Sequence, residues 1–264
     1  MKIIVFKGGL GNQLFQYLFA LKLLEQGYKV FYIDGTNNDH NGLEIFRYFK
    51  CVDSLIPLNL IFQHFYNWCR TNCNFPLKLF RTDDIFFLKW KLIYDGYWQD
   101  KKYFEGIDLP KFKYIDIGKR NQTVFDIINS SNSVFIHVRR GDYLSPENYK
   151  IYGNICTVDY YNKAISIVKE KVPQPIFFCF SNDIDWVKKN LPLNNCFYID
   201  WNSGKNSIFD LFLMSNCKYA IIANSSFSYW GAKLNGNKSL VIYPKKWFNT
   251  SNAPAIFQDN WLAL

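Results

Sequence analysis

Arginine is scarce in this chain, although the chain is basic overall. Of 264 residues, 31 are Lys or Arg and 22 are Asp or Glu, which gives a formal net charge of +9. Only six of the cations are arginines, and the lysines are spread along both halves without a basic tail or a block of like charges. Proteins that bind nucleic acids usually concentrate basic residues on one face or in one tail. A basic nucleic-acid-binding protein is therefore a weak alternative.

The sequence also lacks the patterns of a disulfide-stabilised or membrane-spanning protein. Its seven cysteines are odd in number and form no Cys-x-x-Cys pair, so neither a disulfide framework nor a zinc site is indicated. The apolar run at the N-terminus is too short for a signal peptide, and no run approaches the roughly 18 apolar residues of a membrane-spanning helix. We expect a cytoplasmic protein, which would touch the cytoplasmic face of a membrane if its acceptor is carried by a lipid.

Strand-like and helix-like patterns alternate along the chain, which predicts an α/β fold with parallel sheets. The first part opens with a predicted strand at 2–6, a glycine-rich turn, a helix at about 12–26 and a strand at 29–33. Residues 35–90 are harder to interpret, and we expect helix with breaks from 55 to 90 and a strand at 92–97.

The second part of the chain has a more regular alternation. Polar stretches near 120–132 predict a boundary between a domain at 1–130 and a domain at 131–264. In the second domain we predict strands at 134–138, 176–180, 196–199, 219–223 and 240–243, and helices at about 158–171, 183–190, 207–215 and 227–234. In such sheets, ligands bind at the carboxyl ends of the strands.

Two of the six arginines stand side by side after a predicted strand, in the run from His137 through Arg139, Arg140 and Asp142 to Tyr143. Along a strand His137 and Arg139 point to one face, and Arg140 points to the other. A guanidinium can bind two oxygens of a diphosphate at once, so this strand end is a candidate anion site. A salt bridge between an arginine and Asp142 is an equally good interpretation of the motif on its own.

Polar residues follow two more predicted strands. Asp183, in Ser181-Asn182-Asp183, begins a helix, so an N-cap is favoured over a carboxylate that accepts N–H groups from a base such as guanine. The run Asn224-Ser225-Ser226-Phe227 precedes another helix, whose free N–H groups would suit a phosphate. The alternative for this run is a serine N-cap with Trp230 in the core, and for Trp230 we favour the core.

The turn after the first strand is rich in glycine: Gly8, Gly9 and Gly11 precede or flank Asn12. It contains neither a complete Gly-x-Gly-x-x-Gly fingerprint nor a phosphate-binding Gly-Lys-Ser/Thr loop. Glycines between a strand and a helix allow a ligand to approach the backbone closely. As a phosphate signal, this turn is weak on its own.

Three motifs taken together resemble the α-1,2-fucosyltransferases (galactoside 2-α-L-fucosyltransferases), in their bacterial form. They occur in the family's order: Gly8-Gly9-Leu10-Gly11-Asn12-Gln13-Leu14-Phe15-Gln16-Tyr17, the His137–Tyr143 run, and Asn224-Ser225-Ser226-Phe227-Ser228-Tyr229-Trp230-Gly231-Ala232. The resemblance spans nearly the whole chain. It implies a GT-B fold, in which two Rossmann-like domains face each other across a cleft.

The resemblance also implies the reaction. Fucose would move with inversion from GDP-β-L-fucose to the 2-hydroxyl of a terminal galactose in an oligosaccharide or surface glycan. The second domain would bind the donor, and the first would lie on the acceptor side. No metal ion or other cofactor is expected, and the three histidines (His40, His64 and His137) lie far apart in the sequence.

Roles carried over by position complete the expected site. Arg139 would bind the diphosphate and stabilise the leaving GDP, and His137 and Asp183 would contact the guanine or ribose. Arg140 would hold Asp142 or the domain interface, while remaining a candidate for donor binding together with Asp142. The remaining donor-binding candidates are Asn224, Ser225, Ser226 and Phe227 around the phosphates, and Gly8, Gly9, Gly11 and Asn12 from the first domain.

The general base is left open by the sequence. Asp34, Asp39 and Glu44 follow the second strand, and no motif selects among them. A dissociative transition state needs little help from a base, so the reaction could also proceed without one. A module that binds a GDP-sugar without turning it over is the main alternative to the enzyme.

Overall fold

A computed structural model describes residues 1–36, 40–72, 81–82, 90–191, 193–236 and 238–264 of the chain. The chain divides into two compact units, Met1–Ile115 and Asp116–Leu264. Residues 116–130, which the sequence analysis places in the first domain, therefore belong with the second unit. The reason is a helix in this segment that packs inside that unit, with Phe125 5.3 Å from Phe212 between ring centroids.

The first unit is a parallel sheet with helices, as predicted. Its sheet has the order β3-β2-β1-β5-β4, and every pairing is parallel. The strands are β1 (Lys2–Phe6), β2 (Val30–Asp34), β3 (Leu55–Pro57), β4 (Arg81–Thr82) and β5 (Ile93–Tyr94), and the helices are α1 (Leu10–Glu25), α2 (Ile45–Tyr48) and α3 (Leu60–Asn72), with a 3₁₀ turn at Lys101–Tyr103.

The first unit confirms the predicted strand at 2–6 and differs from the prediction in the region that starts at residue 55. All five residues of β1 are buried, so its apolar run was readable as a strand. The region 55–90 was expected to be helical with breaks, but it begins with β3, a short strand that pairs with β2 at the sheet edge. Helix α3 follows within the same region, whereas residues 73–80 and 83–89 lie outside the described residues.

The second unit has a six-stranded parallel sheet of order β11-β10-β9-β6-β7-β8. Its strands are β6 (Asn132–Val138), β7 (Pro175–Ser181), β8 (Cys196–Ile199), β9 (Tyr219–Ile221), β10 (Leu240–Tyr243) and β11 (Leu262–Ala263). Its helices are α4 (Gly118–Ser130), α5 (Pro146–Tyr152), α6 (Val158–Lys171), α7 (Ile184–Asn190), α8 (Ser207–Asn216) and α9 (Ser226–Lys233), with 3₁₀ turns at Gly141–Leu144 and Gly204–Asn206.

All five strands predicted for this unit are present, and α4, α5 and β11 are elements that were not predicted. Counted within the unit, the strand order is the doubly wound 3-2-1-4-5-6. The strand order reverses between the neighbouring strands β6 and β9. Sheets of this kind bind ligands in the crevice outside the carboxyl ends of the strands at that point. In the part of the chain that the structure describes, no helix is long and apolar enough to cross a membrane.

Candidate functional site

Arg139 follows β6 directly and is bound by a carboxylate from its own turn. Its Nε lies 2.9 Å from Asp142 Oδ1, and its Nη2 donates to Asp142 Oδ2 at 3.0 Å. The two side chains are 31% and 45% exposed. The expectation that Arg140 holds Asp142 is therefore wrong, because Arg139 makes this pair. A guanidinium held at two points by a carboxylate presents the geometry that also fits two phosphate oxygens.

Arg140 turns toward α7 instead. Its Nε lies 3.0 Å from Asp183 Oδ2, and its guanidinium lies over the Trp186 ring at 4.3 Å from the centroid. Asp183 Oδ1 also accepts from the Trp186 backbone N–H at 3.2 Å, so Asp183 caps α7 as the structural interpretation of its motif required. A contact between Asp183 and guanine stays a prediction.

The loops after β6 and β7 approach each other closely at Gly141, where glycine has no Cβ. A Cβ at this position would collide with the Asn182 amide. Without that obstacle, Asn182 Oδ1 accepts from the Arg140 backbone N–H at 2.9 Å. Asn182 therefore fixes the backbone at the arginine pair, a role that the sequence analysis did not assign to it.

Tyr143 connects the arginine loop to the loop after β9. Its hydroxyl donates to the Asn224 backbone oxygen at 2.9 Å, and its ring stacks on Tyr152 with centroids 4.7 Å apart. Burial raises the pKa of Tyr143 well above its usual range, so the hydroxyl keeps its proton. Asn224 is 2% exposed, and its side-chain amide donates to the backbone oxygens of Tyr152 and Trp247 at 3.2 and 3.1 Å. Asn224 is thus a buried brace of the site.

His137 is buried at the end of β6. It is 5% exposed, and its Nδ1 has no hydrogen-bond partner in the described part of the chain. Burial, with a smaller contribution from the positive charge of Arg139, lowers the pKa of His137 to about 3. The imidazole is therefore neutral at physiological pH, with its ring centroid 6.0 Å from that of Phe227.

Ser225 occupies the N-cap position of α9, and its side chain makes no capping hydrogen bond to the described helix. Ser226 and Phe227, in the first turn, are partly exposed. The N–H groups of this turn are among those that a helix leaves without an intrahelical partner. Trp230 is fully buried, which confirms its expected place in the core.

An open pocket of about 370 Å³ lies beside these loops. From the predicted set, Arg139, Arg140 and Asn224 line it. Its wall also contains aromatic side chains to which the sequence analysis gave no role. These are Tyr143, Tyr149, Tyr152 and Trp186.

A glycine conformation and a hydrogen bond from Gln99 fix the glycine-rich turn of the first unit. Gly8 has φ +70°, and a Cβ there would come within 2.8 Å of Asn12 Nδ2, so the turn requires glycine. Asn12 Oδ1 accepts from Gln99 Nε2 at 3.0 Å. Gly9 is the N-cap residue of α1, and Gly11 is buried in its first turn.

Gln13 is a further positioning residue in this turn that the sequence analysis missed. It is fully buried, and its Nε2 donates to the Gly8 and Gly42 oxygens, both at 2.9 Å. Its Oε1 accepts from the backbone N–H of Glu44 at 2.8 Å. The available signal was an amide side chain among the apolar positions of α1.

The three candidate bases have different surroundings. Asp34 is partly exposed, and its Oδ1 accepts from the N–H and hydroxyl of Thr36 at 3.0 and 2.6 Å. Glu44 is 2% exposed, and burial raises its pKa. Asp39 lies outside the described residues. Burial thus separates Glu44 from Asp34, since only a carboxylate that solvent reaches can meet an incoming hydroxyl.

Asp183 and Asp185 have an Asp-x-Asp spacing, and the sequence assigned no role to Asp185. Carboxylates are suitable ligands for Mg²⁺ or Mn²⁺, but here Asp183 is engaged by Arg140 and by the backbone of α7. Among the described residues, no group of three His, Cys, Asp or Glu side chains could hold a metal ion. A metal-independent reaction stays a prediction.

Comparisons with known proteins agree with the motifs. The family model described as Glycosyl transferase family 11 matches residues 58–264. An alpha-1,2-colitosyltransferase from Escherichia coli is 34% identical, with the alignment covering 94% of this chain and 93% of that protein. The O-antigen biosynthesis glycosyltransferase WbnK, also from Escherichia coli, is 28% identical, with 97% and 98% covered.

A solved structure resembles the fold. The NodZ alpha-1,6-fucosyltransferase, in a crystal soaked with GDP-fucose, aligns with a TM-score of 0.53 at 14% identity, over 88% of this chain and 92% of that one. At this identity the likeness concerns the fold alone. It confirms the expected GT-B-like α/β architecture, with two units that each contain a parallel sheet.

Proposed function

The chain belongs to glycosyl transferase family 11, and from that premise we propose that it transfers L-fucose from GDP-β-L-fucose to the 2-hydroxyl of a terminal galactose. The observation that supports this best is the placement of Arg139. Its guanidinium is partly exposed, lines the pocket of about 370 Å³, and lies at the carboxyl end of β6 beside the switch point of the sheet. The acceptor would be a galactose-terminated glycan.

Arg139 is proposed to stabilise the leaving GDP. Breaking the bond between the sugar and the diphosphate builds negative charge on the phosphate and positive charge on the sugar. A fixed guanidinium interacts more strongly with that growing charge than with the ground-state donor, which lowers the barrier. Asp142, as the present partner of Arg139, would keep the fork oriented until the diphosphate arrives. The first-turn N–H groups at Ser226 and Phe227 would add donors.

Among the candidate bases, Asp34 is the better placed of the two described carboxylates. The acceptor hydroxyl loses its proton during transfer, and a carboxylate at a strand end could take it. Glu44 is too buried to meet an incoming sugar. We therefore propose Asp34 as the first residue to test, with Asp39 next.

One specific observation supports GDP-colitose as an alternative donor: the chain is 34% identical to an alpha-1,2-colitosyltransferase. Colitose differs from L-fucose by the absence of the 3-hydroxyl. Discrimination would therefore depend on whether the site hydrogen-bonds that hydroxyl. A site that does so rejects the deoxy sugar strongly, because a buried polar group is left without its partner.

The test is a donor and acceptor panel. Purified protein is incubated with GDP-fucose, GDP-colitose or GDP-mannose, each with lactose or N-acetyllactosamine, and GDP release and the linkage of the product are measured. Release with GDP-fucose and an α-1,2 product supports the proposal, whereas release with GDP-colitose alone selects the second donor. GDP binding without release from any donor would indicate a binding module. Turnover unchanged by EDTA is the expected result for a metal-independent reaction.

A further inference from the structure

Helix α3 of the first unit has an unusual division of its two faces. The side chains that point inward are mostly polar, and they are held by hydrogen bonds. Gln63 Oε1 accepts from the Asp34 backbone N–H at 3.0 Å, and Asn67 Nδ2 donates to the Asp34 backbone oxygen at 2.9 Å. The Tyr66 hydroxyl donates to Asp95 Oδ2 at 2.8 Å. These bonds fix which side of the helix faces the sheet.

The opposite face of α3 is exposed and largely apolar, with His64 as an exposed polar side chain within it. Ordinary surface helices of soluble proteins show the reverse pattern, with the apolar stripe toward the core. We name this surface the α3 face, and it consists of Leu60 (69% exposed), Ile61 (76%), Phe62 (62%), Phe65 (60%) and Trp68 (57%). Contiguous exposed apolar patches of this kind mark interaction surfaces.

We propose that the α3 face docks on the surface of an anionic lipid bilayer. Helix α3 has 13 residues, so it is about 20 Å long and cannot cross a hydrocarbon core of roughly 30 Å. It can lie in the plane of the membrane interface, with its apolar side chains among the acyl chains. Trp68 suits this depth, because tryptophan is enriched where one end of a side chain is wet and the other is apolar.

Charge favours lipid over a second copy of the chain. No Asp or Glu occurs in α3, and residues 1–115 carry 15 Lys or Arg against 11 Asp or Glu. Arg47 and Lys50, shortly before the helix in sequence, are exposed. Two copies meeting through this face would bring two net positive units together, whereas anionic headgroups would neutralise their charge.

The test is sedimentation of the full-length protein with vesicles of phosphatidylcholine alone or with roughly 30% phosphatidylglycerol. We expect at least about tenfold tighter binding to the anionic vesicles, weakened by salt. The double variant Ile61→Gln with Phe65→Gln should lose about tenfold or more, since two large apolar side chains no longer insert. The matched control is Tyr114→Gln, which changes a side chain that is 94% exposed outside α3 and should bind like the wild type.

Three results would overturn the proposal: no binding of the wild type to anionic vesicles, wild-type binding by the double variant, or equal binding to both kinds of vesicle. Analytical ultracentrifugation provides a further contrast. If the wild type forms a dimer at high concentration and the double variant does not, the α3 face is the interface between two copies and the proposal is wrong. If the double variant does not melt like the wild type, the single change Phe62→Glu replaces it, and wild-type binding by that variant counts equally against the proposal.

Discussion

The carboxyl edges of the two sheets both hold ion pairs, but the pairs differ in their access to solvent. In the first unit Asp95, which follows β5, is 2% exposed, with Lys7 Nζ 2.7 Å from Oδ1 and Arg70 Nε 3.5 Å from Oδ2. In the second unit Arg139 and Asp142 are 31% and 45% exposed. The same position in a parallel sheet thus carries a closed charge cluster in one unit and an open pair in the other.

The exposed pair is the better candidate for binding a ligand, because the buried cluster is held by its own charges. Burial alone would raise the pKa of Asp95, but the charges of Lys7 and Arg70 hold it below its usual value, so the carboxylate stays ionised and paired. Lys7 and Arg70 are themselves 17% and 27% exposed, but the carboxylate that they share is buried, so releasing them would leave a buried charge without its partners. An exposed pair such as Arg139 with Asp142 is worth little to stability. It can therefore exchange its carboxylate for a diphosphate at small cost.

The largest expected effect concerns the closed cluster. Asp95→Asn leaves two cations without their buried partner and should destabilise the protein by roughly 3–5 kcal/mol. Urea unfolding followed by circular dichroism measures this loss. Glu25→Gln is the control, because Glu25 is 55% exposed and lies 3.9 Å from Lys22, and we expect it to cost less than about 1 kcal/mol. Equal, small effects of both changes would remove the contrast between the units.

The next effect concerns the open pair. Arg139→Ala should lower turnover by roughly 10²-fold or more, equivalent to about 2.7 kcal/mol of transition-state stabilisation, while leaving unfolding nearly unchanged. Steady-state GDP release provides the measurement. Arg120→Ala, at a side chain 66% exposed elsewhere in the unit, is the control and should turn over normally. Near-normal turnover of the Arg139 variant would remove it from the leaving-group role.

A third prediction concerns the pH dependence of stability that the lowered pKa of His137 produces. Its folded pKa of about 3 lies below the unfolded value near 6.5, so the unfolded chain binds more protons between these two values. Stability should therefore fall as pH drops below about 6.5, and His137→Gln should lack this component, which amounts to about 1–2 kcal/mol at pH 5. The difference between wild-type and variant unfolding curves from pH 5 to 8 isolates it. A constant difference would mean that His137 titrates normally.

The smallest predicted effect concerns Gly141, in the loop that carries Arg139 and Asp142. Gly141→Ala should displace Asn182 and loosen the backbone at Arg140, which would weaken donor affinity about tenfold, a loss of about 1.4 kcal/mol. Asn182→Ala removes the same bond directly. If the two changes act through one contact, the double variant should bind the donor no worse than the weaker single variant. Additive losses would contradict a shared contact.

Local patterns were sufficient for much of the fold. Helix α6 was predicted with its observed bounds, because Thr157 caps it and its buried residues recur at helical spacing. The polar stretches near 120–132, where a domain boundary was predicted, lie largely within helix α4, whose buried residues are only Asn121, Val124 and Ile128. The asparagine among them hides the apolar period.

The site was predictable at the level of motifs and strand ends, but not of partners. Arg139 and Arg140 were placed correctly after β6, yet which carboxylate each one meets depends on how the turn after the strand winds. The Asp95 cluster gave no local signal at all, because Lys7, Arg70 and Asp95 come from distant parts of the chain. Long-range pairing of this kind is set by topology, which a single sequence does not display.

The exposed guanidinium of Arg139 is proposed to bind the donor's diphosphate. Calorimetric titration of wild type and Arg139→Ala with GDP and with GMP tests it most directly, because the two ligands differ by one phosphate. We predict that the wild type binds GDP at least about tenfold tighter than GMP, and that the variant loses this preference while still binding GMP. A variant that keeps the full preference for GDP would show that Arg139 does not bind the diphosphate.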